Sequence, residues 1–169
     1  MKILLLSALI STLFFIACKK ENDLENTTSF VLVNKTKVNT PYGYKFSDNN
    51  TGGIAFLNID YNKISSYSGN MTMVELGLDT LIDGQTYTYK DSGDVTYDKK
   101  VNFAMADIYK DLKVISGMVD WESGTYLSAP TAGTIVLKRS GTQYDISYSL
   151  QFGTDAVEGQ YTGPLTLIL

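Results

Sequence analysis

The chain has 169 residues, with 14 Lys and Arg against 18 Asp and Glu, a formal net charge of −4, a single Cys and no His. The absence of His excludes Ser-His-Asp and Cys-His catalysis and every His-ligated zinc or iron site. The acidic balance argues against nucleic acid, whose phosphates demand a basic surface. Hydrophobic residues at 44% and charged residues at 19% describe a globular chain of one-domain size.

Lys2 is the only charge before residue 19, and an apolar run from Ile3 to Ala17 follows it. A positive start, an apolar stretch of about fifteen residues and a small residue at its end describe a secretory signal peptide. The run is short for a membrane span, which needs about 20 residues. The only cysteine, Cys18, stands where cleavage would fall. Phe15-Ile16-Ala17-Cys18 resembles a bacterial lipobox, with Phe15 where Leu is usual. The resemblance implies acylation of the Cys18 thiol, cleavage before it and anchoring through lipid. Two or three acyl chains anchor stably, at about 0.8 kcal/mol per buried CH₂.

Cys18-Lys19-Lys20-Glu21-Asn22-Asp23 resembles the start of mature lipoproteins from Bacteroidota. That resemblance implies the outer membrane as destination. Asn22 interrupts the acidic pair, so the run speaks for anchoring more than for display on the cell surface. Residues 1–17 are thus expected to be a lipoprotein signal peptide, 18–28 the lipidated Cys and a flexible tether, and 29–169 the folded domain.

Within 29–169 the apolar pattern has period 2. Phe30-Val31-Leu32-Val33 reads as a short strand with Asn34-Lys35 as its turn, and Tyr42, Tyr44 and Phe46 alternate after Pro41. Residues 47–53 read as a polar loop, Ile54 to Tyr61 and Met71 to Leu76 as strands. Asp83-Gly84 turns into the β-branched and aromatic run Gln85 to Tyr89. Between residues 101 and 115 the apolar residues fit either a helix or a strand. The strand, from about Ala106 to Val114, is favoured because its neighbours are strands that need partners. Gly133 to Arg139 and Tyr144 to Phe152 form a hairpin around Ser140-Gly141-Thr142. Tyr144, Ile146, Tyr148, Leu150 and Phe152 are predicted to point inward. The final strand is expected from about Val157 to Ile168, with Tyr161, Leu165, Leu167 and Leu169 on one face. Pro164 marks an edge, a bulge or a break within it.

Roughly eight to ten strands predict an all-β fold, a single antiparallel β-sandwich, with a partly open barrel as the alternative. The order of strand, Asn-Lys turn and Pro41-Tyr42-Gly43-Tyr44 is similar to that of small all-β Bacteroidota lipoproteins, mostly of unknown function. So is the closing stretch from Gly133 through Leu165. That resemblance implies no catalytic residues.

The candidates for chemistry are few. Asp91, Asp94 and Asp98 cluster in a stretch with Gly93, but without the spacing of a calcium loop, so a solvated turn is the reading preferred. Asp120 and Glu122 flank Trp121 and are weighed, and set aside, as a glycosidase pair. Trp121, the only Trp, and Tyr126 are candidate ligand-contact aromatics, although a Trp plugging the end of the core is the commoner arrangement. Asp79-Thr80-Leu81 resembles the O-glycosylation sequon of exported Bacteroidota proteins, with Thr80 as acceptor. No cofactor and no metal are expected. The expectation is a non-catalytic lipoprotein of the outer membrane, held through its N-terminal lipid. It would serve as a surface binding module for glycans, or alternatively as a structural component whose partner is an envelope protein.

Overall fold

The structure, a computed structural model, describes residues 28–48 and 51–168. The signal segment, Cys18, most of the tether and Leu169 lie outside the described residues. The strands in chain order are β1 Phe30–Val33, β2 Thr36–Asn39, β3 Tyr42–Asp48, β4 Thr51–Leu57, β5 Gly69–Gly77, β6 Thr86–Tyr89 and β7 Asn102–Phe103. They continue with β8 Ala106–Ile115, β9 Met118–Asp120, β10 Thr125–Leu127, β11 Ala132–Ser140, β12 Gln143–Phe152, β13 Asp155–Pro164 and β14 Thr166–Ile168. They build two sheets that do not close into a barrel. The first has the order β2-β1-β13-β12-β11-β6-β7. The second has the order β10-β8-β5-β4-β3-β14, with β9 also paired to β8. The fold is the expected all-β sandwich, with more and shorter strands than the pattern indicated. All pairings are antiparallel except β6 with β7 and β14 with β3, which are parallel and make both sheets mixed.

Local chemistry explains the element boundaries. Asn34 and Lys35 both have positive φ, 48° and 70°. Two left-handed residues in a two-residue turn match the right-handed twist of the strands, so β1 folds directly onto β2. The ambiguous segment is a strand, Ala106–Ile115. The stretch read as a loop at 47–53 is mostly hairpin, because β3 extends to Asp48 and β4 starts at Thr51. The strand expected to run on to Tyr61 stops at Leu57. A 3-10 helix, Tyr61–Ser66, follows, its start capped by the Asp60 carboxylate, which accepts from the Asn62 N–H at 3.0 Å.

The last predicted strand is two strands. Pro164 ends β13, and after Leu165 the chain crosses from the first sheet to the second, where β14 pairs with β3. The crossing breaks the expected face: Tyr161 is buried, whereas Leu167 is exposed. Proline has no N–H to continue the ladder, so the sheet change falls where pairing lapses.

Between the sheets lies one core. Ile146, Leu150, Tyr148, Tyr144 and Phe152 of β12 all face it, as the alternation predicts, with Ile135 and Leu137 of β11 and Ile54 and Phe56 of β4. At its centre Phe56 is stacked between two tyrosines, Tyr161 at 4.7 Å and Tyr148 at 5.9 Å between ring centroids. Glycines make room for them. A Cβ on Gly159, the cross-strand partner of Tyr148, would sit 2.2 Å from the Tyr148 hydroxyl, and one on Gly43 2.3 Å from the Tyr161 ring. The Tyr148 hydroxyl is buried without a hydrogen-bond partner among the described residues.

A second apolar cluster lies on the other face of the second sheet. Tyr44, Ala55, Leu57, Ile59, Met71, Leu112 and Val114 are buried there, with Ile64 of the 3-10 helix and Tyr67 packed against them. Strand β4 is therefore buried on both faces, which explains why its run Ile54-Ala55-Phe56-Leu57 is continuously apolar.

Two substitutions separate these packing claims. Ile146→Ala is expected to cost about 2–5 kcal/mol in urea denaturation, as for other buried large-to-small changes. Tyr148→Phe removes a buried hydroxyl that lacks a partner and is expected to leave stability unchanged or raise it. A loss of stability in Tyr148→Phe as large as that in Ile146→Ala would contradict the assigned environment.

Candidate functional site

The second sheet's outer face is covered at one end and open at the other. A bulge in β8 makes the division. Met71 pairs with Leu112 and Met73 with Tyr109, so Lys110 and Asp111 together oppose Thr72. Asp111 takes φ 60°, which Asp tolerates better than most residues. Its N–H donates to the Thr72 hydroxyl at 3.3 Å. One extra residue reverses which side the alternate residues face. Ala106 and Ile108 enter the central core, whereas Leu112 and Val114 enter the outer cluster. Before the bulge, Asp107 and Tyr109 are left on the outer face.

Tyr109 is half-buried at the centre of an aromatic group. Its cross-strand partner Tyr126 stacks on it at 4.7 Å with 19° between planes. Trp121 meets it edge-on at 5.5 Å and 74°. Trp121 is 58% and Tyr126 53% exposed. Trp121 thus does not plug the core, the arrangement its residue type favours. It rides on the turn between β9 and β10, outside both apolar clusters. That turn is held against β8. Gly124 has φ 74°, and a Cβ there would lie 2.3 Å from the Lys110 carbonyl oxygen. The Lys113 N–H donates to the Ser123 hydroxyl at 2.7 Å. The two exposed rings form a corner, since they lie at very different angles to Tyr109.

Two carboxylates border this corner. Glu75 of β5 and Asp107 of β8 are direct cross-strand partners. Tyr126 Oη donates to Asp107 Oδ1 at 3.2 Å. Burial, then the negative charge of Asp107, push the Glu75 carboxyl above its ordinary value. Burial above all pushes the Tyr109 hydroxyl up as well, helped by its hydrogen bond with Tyr126 and the charges of Asp107 and Glu75. Among the described residues the one ion pair is Lys110 with Asp111, 2.7 Å apart. Among the described residues no ion pair reaches Glu75 or Asp107.

The other sequence candidates separate from this site. Asp120 accepts from the Glu122 N–H at 3.2 Å and so caps the turn that carries Trp121. Asp91, Asp94 and Asp98 each cap their own turn, accepting from the N–H groups of Gly93, Thr96 and Lys100 at 2.7, 2.7 and 2.9 Å. Hydrogen bonds from Thr96 hold the Asp94 carboxyl below its ordinary value. Among the described residues no group of three or more His, Cys, Asp or Glu is placed to hold a metal ion. Thr80 is exposed, its hydroxyl donating to the Lys99 carbonyl at 3.4 Å. A shallow depression of about 300 Å³ lies on the first sheet's outer face, among Thr134, Ser147, Ser149, Glu158 and Gln160. Phe30, Val136 and Tyr148 also line it, so it is open and more apolar than polar, and neither Trp121 nor Tyr126 reaches it. No helix of the described residues is long and apolar enough to cross a membrane.

The sequence pattern singled out Trp121 and Tyr126 but missed Tyr109, Glu75 and Asp107. Their signal was present only as polar or aromatic residues at alternate positions of two strands. Which of them meet depends on register and on the bulge.

No family model matches the chain, and no curated protein or solved structure matches it.

The carboxylate pair yields a stability test. The folded chain binds the Glu75 proton more tightly than the unfolded chain does. Stability therefore falls as pH rises from the ordinary 4.5 through the raised folded value, and returns on acidification through that window. Glu75→Gln is expected to stabilise the protein at neutral pH by about 0.2–1 kcal/mol, the scale of cross-strand pair effects. Thermal melts over a pH series check this. The advantage of the variant should vanish once pH drops below the ordinary carboxyl value, and a pH-independent difference would contradict the coupling.

Proposed function

We propose that this chain is a non-catalytic binding module of the cell envelope, anchored to the outer membrane by lipid on Cys18, that binds glycans at the corner formed by Trp121, Tyr109 and Tyr126. The supporting observation is the exposure of Trp121 and Tyr126 side by side on one support, Tyr109. Aromatic rings offer a large apolar face with a polar handle, and Trp and Tyr dominate binding surfaces for that reason. Sugar rings present C–H faces to such rings and hydroxyl donors to neighbouring carboxylates. Asp107, which accepts from Tyr126, and its cross-strand partner Glu75 are such carboxylates. A purely binding role is supported by the engagement of Asp120 in a turn and by the openness of the face, which encloses no reacting atoms.

The second reading, a structural component whose partner is an envelope protein, is favoured by one observation. Trp121 and Tyr126 stand at a steep angle rather than in one plane, a shape that also admits an inserted side chain.

Two measurements test the proposal. A glycan array with the wild type and Trp121→Ala is expected to show binding by the first and a loss of about tenfold or more by the second, equivalent to about 1.4 kcal/mol. No binding by the wild type rejects the glycan reading in favour of the protein partner; equal binding by both rejects the Trp121 corner alone. Intact-mass analysis is expected to find Cys18 as the acylated first residue of the mature chain, and Cys18→Ser to release or stall the protein. An uncut chain with a free Cys18 thiol overturns the anchoring.

A further inference from the structure

The end of the sandwich where the chain enters carries an exposed apolar tip. The Thr28 carbonyl accepts from the Gln160 side-chain amide at 2.6 Å, and the Ser29 carbonyl from the Thr40 N–H at 3.1 Å. Strand β1 therefore starts at the end where β2 finishes and β3 begins. Tyr42 of β3 pairs with Leu57 of β4, and Leu57 with Met73 of β5. Strand β5 starts four residues earlier, at Gly69, which pairs with Val114 of β8. At about 3.3 Å per residue, the hairpin of β8 and β9 projects about 13 Å past the level of Tyr42. Its turn residues, Ser116 and Gly117, have φ 50° and 79°, the tight two-residue form that fixes the side chains flanking it. Those flanking residues are Ile115 and Met118, direct cross-strand partners that are 62% and 72% exposed. The tip is braced: the Gly117 N–H donates to the Tyr67 carbonyl and the Ser116 N–H to the Ser68 hydroxyl, each at 3.0 Å.

Charge at this end has one sign. Segments 61–69 and 113–119, which build it, hold Lys63 and Lys113 and no Asp or Glu, in a chain of net charge −4. Both lysines are exposed and, among the described residues, outside any ion pair. The flanking acids are turned to the protein: Asp60 accepts from the Asn62 N–H and the Tyr44 hydroxyl, and Asp120 from the Glu122 N–H. Resting on the lipid anchoring proposed above, we propose that the tip of the β8–β9 hairpin enters the surface of the bilayer that holds the Cys18 lipid. Ile115 and Met118 reach the acyl boundary there, and Lys63 and Lys113 meet anionic headgroups. Ten residues separate Cys18 from Thr28, so the chain enters the domain no more than about 36 Å from the lipid. A lipid anchor alone limits distance but not orientation. A second contact that joins apolar area to basic charge fixes orientation, because each part favours the membrane surface. The contact leaves the corner of Trp121 and Tyr126 in water, since Tyr126 lies opposite Tyr109, well up β8 from the tip.

The test uses the mature lipidated protein in vesicles of phosphatidylethanolamine with a minority of phosphatidylglycerol. The chain has no Cys besides Cys18, so Met118→Cys and Thr154→Cys each offer one free thiol for an environment-sensitive fluorophore. Thr154 is exposed in the turn between β12 and β13, at the opposite end of the first sheet. The probe at 118 is expected to shift its emission to the blue and to lose at least about half its intensity to spin labels on the upper acyl chain. The probe at 154 should do neither. Ile115→Ser should weaken the quenching at 118, and so should Lys63→Glu combined with Lys113→Glu, in the same vesicles. These changes fall on exposed side chains, and thermal melts should be unaltered. A vesicle-bound protein whose 118 probe is not quenched, or whose two probes are quenched alike, overturns the inserted tip and leaves the anchoring standing. A blue shift at 118 without quenching by lipid places the tip against protein and overturns it equally. A chain that carries no acyl group on Cys18 and stays off the vesicles rejects the anchoring itself, and the inserted tip with it.

Discussion

The extra residue in β8 is the constraint from which the second sheet takes its form. Without it Leu112 and Val114 would continue the face of Ala106 and Ile108 into the central core. With it they turn outward, and the sheet must bury apolar residues on two sides. One end of the outer face is then roofed by the 3-10 helix Tyr61–Ser66 and its flanks. The chain that runs back along the far edge of β8 cannot stay in regular pairing past the bulge. It pairs as β9 on one side, lifts away over Trp121 to Gly124, and pairs again as β10. The turn that displays the only tryptophan is thus a consequence of the bulge in its neighbour. A register shift of one residue in a strand buried on both sides would exchange the contents of two cores, so the device is costly to vary.

The central core solves a different problem, how to fill the space between sheets with large rings. Tyr148, Phe56 and Tyr161 stack through the middle, and Gly159 and Gly43 vacate the space that the two tyrosines use. Large against small across facing positions lets the layers interdigitate at the density of a protein interior. This arrangement accounts for two glycines, Gly43 and Gly159, that sit inside strands. It also leaves the Tyr148 hydroxyl without a hydrogen-bond partner among the described residues, a local cost set against the ring's packing.

How much was legible in the sequence follows from these two features. The period-2 runs of β11 and β12 announced both strand and inward face, because a hairpin with one buried side writes its pattern plainly. The Asn34-Lys35 turn was legible for the same reason. Legibility failed where a single residue changes the face, at Lys110-Asp111, and where the chain changes sheets, at Pro164-Leu165. A period-2 reading carries one phase and cannot see either event. For Trp121 the sequence left two environments open, for a related reason. Residue type favours burial, but the turn that holds it is dictated by Gly124 and by the bulge, neither of which acts through the hydrophobicity of Trp121 itself. Glu75 and Asp107 are ordinary polar positions until register makes them partners.

That pairing bears on why the open end of the outer face stays open. Covering it would bury Glu75 and Asp107 together without a cation, a penalty no nearby side chain offsets. The same two residues therefore exclude a roof like the one over Leu112 and Val114, and keep Trp121 and Tyr126 in solvent. A chain under selection for stability alone would replace one of the pair by a neutral or basic residue, since the repulsion lowers the stability of the free protein. Keeping both leaves an uncompensated repulsion on the same face as the exposed rings of Trp121 and Tyr126. The physical tension is local, and protonation of Glu75 relieves it, which is why its carboxyl holds the proton above the ordinary value. The shape of the corner and its charge have one origin, since the bulge divides the outer face between Leu112 and Val114 on one side of it and Tyr109 and Asp107 on the other.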